Sequence, residues 1–226
     1  MIPKTIHYCW FGGKALPKSA RKCINSWRKF LPDYEIKEWN ESNFDVNIVP
    51  YTEEAYAAKK YAFVSDFARF WILYQEGGVY FDTDVEVIRP MDDILQAGAF
   101  MGMENAESVN PGLGLAVEAG HPLYRWYLDY FSDKHFTPQQ PSMIPVLREK
   151  LQELGWRREL RIQSVEGIII YPPDYFCPQA MMGAPICLTE NTRSIHHFDC
   201  TWLPWYVRFR AKLGARLRSW KRKIGR

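Results

Sequence analysis

Paired cysteines are missing from this sequence. Its five cysteines, Cys9, Cys23, Cys177, Cys187 and Cys200, are odd in number and scattered, with no two in a CxxC spacing. That excludes a zinc knuckle or a thioredoxin-type motif and leaves reduced thiols in a cytosolic protein as the expectation. The amino terminus, MIPKTIHYCWFGG, has no basic segment followed by an apolar core, so no secretory leader is expected. No apolar run reaches the roughly 18 residues of a membrane-spanning helix. Internal repeats and low-complexity linkers are absent too. Acidic residues disappear towards the end: residues 201–226 hold nine lysines and arginines and no Asp or Glu. With a net charge of +3 for the whole chain, the body is mildly acidic and the tail strongly basic.

What is present suffices for one folded domain. Of 226 residues, 47% are hydrophobic and 15% aromatic, ample for a real core. Residues 5–10 are a short run of β-formers ended by Gly12 and Gly13, read as a strand entering a loop. Pro17 opens a helical pattern to residue 30, with Cys23, Trp27 and Phe30 on one side. Residues 34–39 alternate as a second strand, which completes the opening βαβ of an α/β domain. Residues 53–76 read as one helix with a buried stripe of Phe63, Phe67, Phe70 and Tyr74, ended by Gly77 and Gly78. Residues 79–81 follow as a short buried strand. Residues 85–88, 100–103, 113–117 and 167–171 read as further strands, and 122–131 and 142–154 as helices.

The stretch GGVYFDTDVEV, residues 77–87, places Asp82 and Asp84 one residue apart behind an apolar strand. On an extended chain the two side chains point the same way, and two convergent carboxylates need a proton or a cation between them. Hard oxygen ligands suit Mg²⁺ or Mn²⁺. Ligands of open α/β sheets bind beyond the carboxyl ends of strands, where this pair sits. On the preceding helix Asp66 and Arg69 stand three residues apart, on a face other than the phenylalanine stripe. Taken alone, DxD is equally the pattern of a solvated acidic turn, and Asp66–Arg69 that of a surface ion pair worth little.

The stretch YAFVSDFARFWILYQEGGVYFDTDVE resembles the DXD sugar-binding signature of glycosyltransferase family 32, the capsular-polysaccharide and Och1-like transferases. IPKTIHYCWFGG resembles the first strand and nucleotide loop of that family, and SIHHFDCTW (residues 194–202) its closing motif. The same register occurs in the glucosylating domains of large clostridial toxins. The resemblance covers about residues 1–203. It implies a GT-A fold, a Rossmann-like open mixed sheet flanked by helices. It also implies a retaining transferase that uses a nucleotide-sugar donor and a divalent metal, usually Mn²⁺; UDP is favoured over GDP as the nucleotide, with the choice between them open. Carried over by position, Trp10 would stack on the base, and Asp66 and Arg69 would hold the donor sugar's hydroxyls. Tyr80 would contact the nucleotide or sugar. Asp82 would touch ribose, sugar or metal, and Asp84 would be the firmest metal ligand. A histidine of the closing motif would be a further ligand, His196 in preference to its neighbour His197. Thr201 and Trp202 would close over the diphosphate. Glu104 and Asn110 are candidates for the far side of the sugar. Residues 105–120 and 130–142 would line the acceptor side, for a glycan or a lipid-linked oligosaccharide.

Trp205, Phe209, Leu213, Leu217, Trp220 and Ile224 fall at helical spacing among the basic residues of the tail. Residues 204–226 therefore read as a basic amphipathic helix on an anionic membrane surface, which would place the protein peripherally on the inner face of the cell membrane. A helix docked on the body is the competing reading, and no nucleic-acid partner is expected. Two rivals to the transferase remain. One is a haloacid-dehalogenase-like phosphatase, whose motif YFDTDVEV resembles superficially. The other is a silent sugar- or membrane-binding module on the same fold.

Overall fold

The computed structural model describes residues 1–138 and 143–200, together with Tyr206, Val207, Arg210 and Gly214. In chain order the elements are β1 (Thr5–Cys9), α1 (Lys18–Phe30), β2 (Glu35–Trp39), α2 (Pro50–Ala57), α3 (Tyr61–Glu76), β3 (Gly78–Tyr80) and β4 (Val85–Val87). They continue with α4 (Asp92–Ala97), β5 (Phe100–Asn105), β6 (Ser108–Val109), a 3-10 turn (Pro111–Leu113), β7 (Leu115–Val117), α5 (Pro122–Phe131) and α6 (Ile144–Glu153). β8 (Gln163–Val165), β9 (Ile168–Tyr171), α7 (Pro173–Phe176) and β10 (Ser194–His196) complete the set.

The main sheet runs β2-β1-β3-β7-β5-β9-β8, with β6 paired to β5. β2, β1 and β3 are parallel, β7 runs against β3 and β5, and β9 is parallel to β5, so the sheet is open and mixed. The expected βαβ opening is there: α1 carries the chain from β1 to the parallel strand β2. Each face has its own core. Val64, Phe67, Phe70, Leu73, Tyr124, Tyr127, Leu147 and Leu151 of α3, α5 and α6 pack on one side. Cys23, Ile24 and Trp27 of α1, Ile94 of α4 and Phe176 of α7 pack on the other. Alternation along β5 supplies both, with Met101 in the first core and Phe100 in the second.

Several sequence expectations need correction. The single helix over 53–76 is two helices, α2 and α3, broken where Lys59 takes φ 58°, a left-handed conformation that composition does not announce. Residues 113–117 are not one strand, because Gly114 at φ 146° separates the 3-10 turn from β7. β4 does not extend β3 but leaves the main sheet and forms a two-stranded ribbon with β10. The helix expected from residue 142 begins at Ile144. α4, β6, β8 and α7 had no distinct sequence signal. Of the proposed tail helix 204–226, Tyr206, Val207, Arg210 and Gly214 are helical, and its other residues lie outside the described ones. Among the described residues no helix is long and apolar enough to cross a membrane. Cys9, Cys23, Cys177 and Cys187 are free thiols, the first three of them buried.

His7 locks β1 to its neighbours. Its Nε2 donates to the Gly77 carbonyl at 3.0 Å, and its Nδ1 accepts from Trp39 Nε1 at 3.0 Å. Both ring nitrogens are thus used in the neutral form, and burial pushes the pKa down from 6.5 to about 4. The folded protein binds this proton less readily than the unfolded chain. The contribution is complete above pH 6.5 and is lost as pH falls towards 4, about 3 kcal/mol over the window. Urea unfolding followed across pH 7 to 4 should show a shallower loss of stability in His7→Gln than in the native protein. Coincident slopes would refute the neutral assignment.

Candidate active site

The acidic pair lies beyond the carboxyl end of β3, beside the end of its parallel neighbour β1, where Trp10 begins the next loop. The two aspartates converge by a different route from the one expected. Residues 82–85 form a tight turn closed by the Val85 amide donating to the Asp82 carbonyl at 3.0 Å. The turn, not strand alternation, brings the carboxylates together. It is held from both sides of the fold. The Asp82 amide donates to the Gly112 carbonyl at 3.3 Å. Trp27 Nε1 of α1 donates to the Val85 carbonyl at 2.8 Å.

Asp82, Asp84 and His196 each present a ligand atom, and the three atoms lie within 4.8 Å of one another. β10 makes this possible. Its antiparallel register sets His196 opposite Val85, beside Asp84, so a residue more than a hundred positions away meets the acidic turn. His196 Nε2 is 3.3 Å from Asp84 Oδ1, and the Asp199 amide donates to Asp84 Oδ2 at 2.9 Å. His197 goes elsewhere: its Nε2 meets Glu86 Oε2 at 2.8 Å, and Glu86 also accepts from Lys22 at 2.9 Å. Of the two adjacent histidines, the structure brings His196 to the pair.

Behind Asp82 stands Arg69, only 5% exposed. One guanidinium nitrogen, Nη2, reaches Asp66 Oδ1 at 2.9 Å and Asp82 Oδ1 at 3.1 Å, and the group lies over the Tyr80 ring at 5.0 Å. The reading of Asp66–Arg69 as a surface pair is therefore overturned. α3 is buried on most of its circumference, and the face that carries Arg69 looks into the site. Tyr80 is 1% exposed, and its hydroxyl donates to Asp82 Oδ1 at 3.0 Å. Direct contact with a nucleotide is thus not what its placement offers, and it orients Asp82 instead. Trp10 is half-buried at the mouth of the β1 loop, with Nε1 donating to the Lys14 carbonyl at 2.5 Å. Thr201 and Trp202 lie outside the described residues.

Electrostatics follow from this layout. Burial raises the Asp66 carboxyl to about 6, against the pull of Arg69. Burial also raises Asp82, with Arg69 opposing and Asp84 adding to the rise. For Asp84, burial is outweighed by the charge and hydrogen bond of His196, so its pKa falls. His196 rises well above 6.5, because Asp84 overcomes the burial that would lower it. Arg69 and a protonated His196 together supply the positive charge that makes two carboxylates tolerable here. A divalent cation fits the same place: two hard carboxylates and one imidazole suit Mn²⁺, and Mg²⁺ less well.

Glu104 and Asn110 are near but occupied. Asn110 Nδ2 donates to Glu104 Oε2 at 2.6 Å, and Asn110 Oδ1 accepts from the Gly112 amide at 2.8 Å. Gly112 itself, which packs against Asp82, was not singled out in the sequence. Its place in NPGLG, just after a strand, is the local signal that could have found it.

An open mixed sheet flanked by helices, with an Asp-x-Asp turn beyond its parallel strands and a basic side chain behind it, is an α/β architecture of the GT-A type. Comparison with known proteins agrees. Residues 17–101 match the family described as the glycosyltransferase sugar-binding region containing the DXD motif. Trp10, His196 and His197 lie outside that segment. The initiation-specific alpha-1,6-mannosyltransferase of Candida albicans is 27% identical over 68% of this chain and 42% of its own. The inositol phosphoceramide mannosyltransferase 1 of Schizosaccharomyces pombe is 32% identical over 60% of this chain and 46% of its own. The chain thus spans less than half the length of these curated relatives. Two solved structures align loosely. They are PaToxG Glycosyltransferase (TM-score 0.46, 22% identity, 57% of this chain and 58% of that one) and a glycosyltransferase involved in glycosylating the major capsid of PBCV-1 (TM-score 0.47, 13% identity, 92% and 98%).

Proposed function

We propose that this chain is a metal-dependent glycosyltransferase that moves a sugar from a nucleotide-sugar donor to a glycan or lipid-linked glycan. The observation that carries the reading is the convergence of Asp82, Asp84 and His196 in front of the Arg69–Asp66 pair. Asp82, Asp84 and His196 would hold Mn²⁺, or Mg²⁺, which when bound neutralises a leaving diphosphate. Arg69 and Asp66 pair a cationic donor with an anionic acceptor, the combination that recognises vicinal hydroxyls of a sugar. Trp10, half-buried where the β1 loop begins, offers an aromatic face to a base. Thr201 and Trp202 are proposed to close over the diphosphate by resemblance alone.

A retaining outcome is proposed through same-face displacement, in which the leaving diphosphate takes the proton of the acceptor hydroxyl. A double displacement needs a free carboxylate under the anomeric carbon. Glu104, the nearest candidate from sequence, is bonded to Asn110, which favours the same-face route. The match over residues 17–101 tells against a phosphatase. A silent module is answered by turnover. Surface-polysaccharide synthesis is the proposed setting. The inner face of the cell membrane, reached through residues 204–226, rests on the tail pattern. Loss of vesicle sedimentation on deletion of residues 205–226 tests that part separately.

The names of the relatives support mannose as a transferred sugar, so the donor screen includes GDP-mannose beside UDP-galactose, UDP-glucose, UDP-N-acetylglucosamine and UDP-N-acetylgalactosamine. One donor should be turned over with Mn²⁺ and none with chelator. Undiminished turnover in chelator would sink the metal-dependent reading.

A further inference from the structure

Gly112 has no backbone reason to be glycine: its φ is not in the left-handed region, and an alanine backbone would be unstrained there. What forbids a side chain is Asp82. A Cβ built on Gly112 would collide with Asp82 Oδ2 and come within 3.1 Å of both Asp82 Cγ and Asn110 Oδ1. The other oxygen of the same carboxylate, Oδ1, is already taken by Arg69 at 3.1 Å and Tyr80 at 3.0 Å. Oδ2 is then the oxygen with no hydrogen bond among the described residues, and Gly112 is the wall against which it rests.

Gly112 is in turn fixed. Asn110 caps the 3-10 turn by accepting from the Gly112 amide at 2.8 Å, and its own amide donates to the Gly102 carbonyl at 3.0 Å. Its Nδ2 is anchored on Glu104 at 2.6 Å, at the end of β5. The Gly112 carbonyl completes the loop of contacts by accepting from the Asp82 amide at 3.3 Å. The chain Glu104–Asn110–Gly112 thus links the rigid strand β5 to both the backbone and the carboxylate of Asp82.

We propose that Asn110 and Gly112 are positioning residues that set the orientation of the Asp82 carboxylate and thereby the affinity of the site for a divalent cation. This rests on the metal reading of the site. Neither residue touches donor or acceptor in this role. Glu104 is the anchor, not a nucleophile.

Mn²⁺ binding to the purified full chain, read by electron paramagnetic resonance without donor present, tests it. Gly112→Ala should weaken Mn²⁺ binding by about 10- to 100-fold, the range for residues that orient a metal ligand. Asn110→Ala should weaken it in the same direction. Asn110→Ser should restore part of the affinity, because a Ser hydroxyl accepts from the amide two residues on. Unchanged Mn²⁺ affinity in folded Gly112→Ala would overturn the proposal. A thermal melt supplies the second reading, independent of metal. Gly112→Ala should lower the melting temperature in the native background and not in Asp82→Ala, where the collision is gone. Equal shifts in both backgrounds would overturn the positioning role. If the native chain binds no Mn²⁺ while the melts remain coupled, the metal reading fails and the contact between Gly112 and Asp82 stands.

Discussion

Asp84→Asn is expected to reduce donor turnover with Mn²⁺ by about three orders of magnitude, on the scale of losing a charge-stabilising group from a buried transition-state site. The magnitude follows from what Asp84 does in the fold. It is the carboxylate of the pair whose pKa is lowered, burial being outweighed by His196, whereas that of Asp82 is raised. It also meets His196 and accepts from the Asp199 amide. Asparagine keeps the shape and can keep the Asp199 contact, but it removes the anion that His196 meets. The variant therefore loses a metal ligand and the electrostatic anchor of a second one. Circular dichroism should show an intact fold, since both the Trp27 and the Gly112 contacts to the turn go to backbone atoms of other residues. Full activity in a folded Asp84→Asn would remove the site from this chemistry. His197→Gln is the useful contrast. His197 is bonded to Glu86 on the far side of the ribbon, and its loss should leave Mn²⁺ dependence in place.

How far the sequence reached depended on the range of the interactions involved. The α/β class, the opening βαβ and the Asp66, Arg69, Asp82, Asp84 register were legible because each is written in local periodicity or spacing. The turn at residues 82–85 was not, because FDTDV contains neither Gly nor Pro and reads as extended. The turn is held by Gly112, 30 positions from Asp82, and by Trp27, 58 positions from Val85, each acting on its backbone. The departure of β4 into a ribbon with β10 is likewise a long-range pairing that no local pattern records. It brings His196, the histidine that the sequence favoured, to the acidic pair, while the side chain of His197 meets Glu86. The burial of Arg69 was not legible for the same reason: a helix wheel separates it from the phenylalanine stripe, which left a surface ion pair as the rival reading, but that face packs against Tyr80 and Asp82. Gly112 was not singled out because glycines are read as turn formers, whereas this one is required by a side chain that reaches it from the turn at residues 82–85.

Arg69→Met should destabilise the folded protein by about 3–5 kcal/mol at neutral pH, the cost of removing one member of a buried charge cluster. Methionine fills much of the volume, so the loss is electrostatic. Arg69 serves both Asp66 and Asp82 while lying over Tyr80, and without it two carboxylates face each other with His196 as the remaining near cation. The pH dependence separates this from a packing defect. Asp66 already has its carboxyl raised to about 6, above the unfolded value, so the folded state binds its proton more tightly and stability falls as pH rises through that window. Removing Arg69 takes away the one group that pulls this pKa down. The window then moves upward, and the variant should regain stability on going from pH 7.5 to 5.5 relative to the native protein. Urea unfolding at the two pH values gives the comparison. A deficit that stays constant between them would mean that Arg69 acts by packing alone. Arg69→Lys should recover only part of the stability, because a single ammonium on a flexible stem reproduces poorly the planar group that bridges two carboxylates and stacks on a ring.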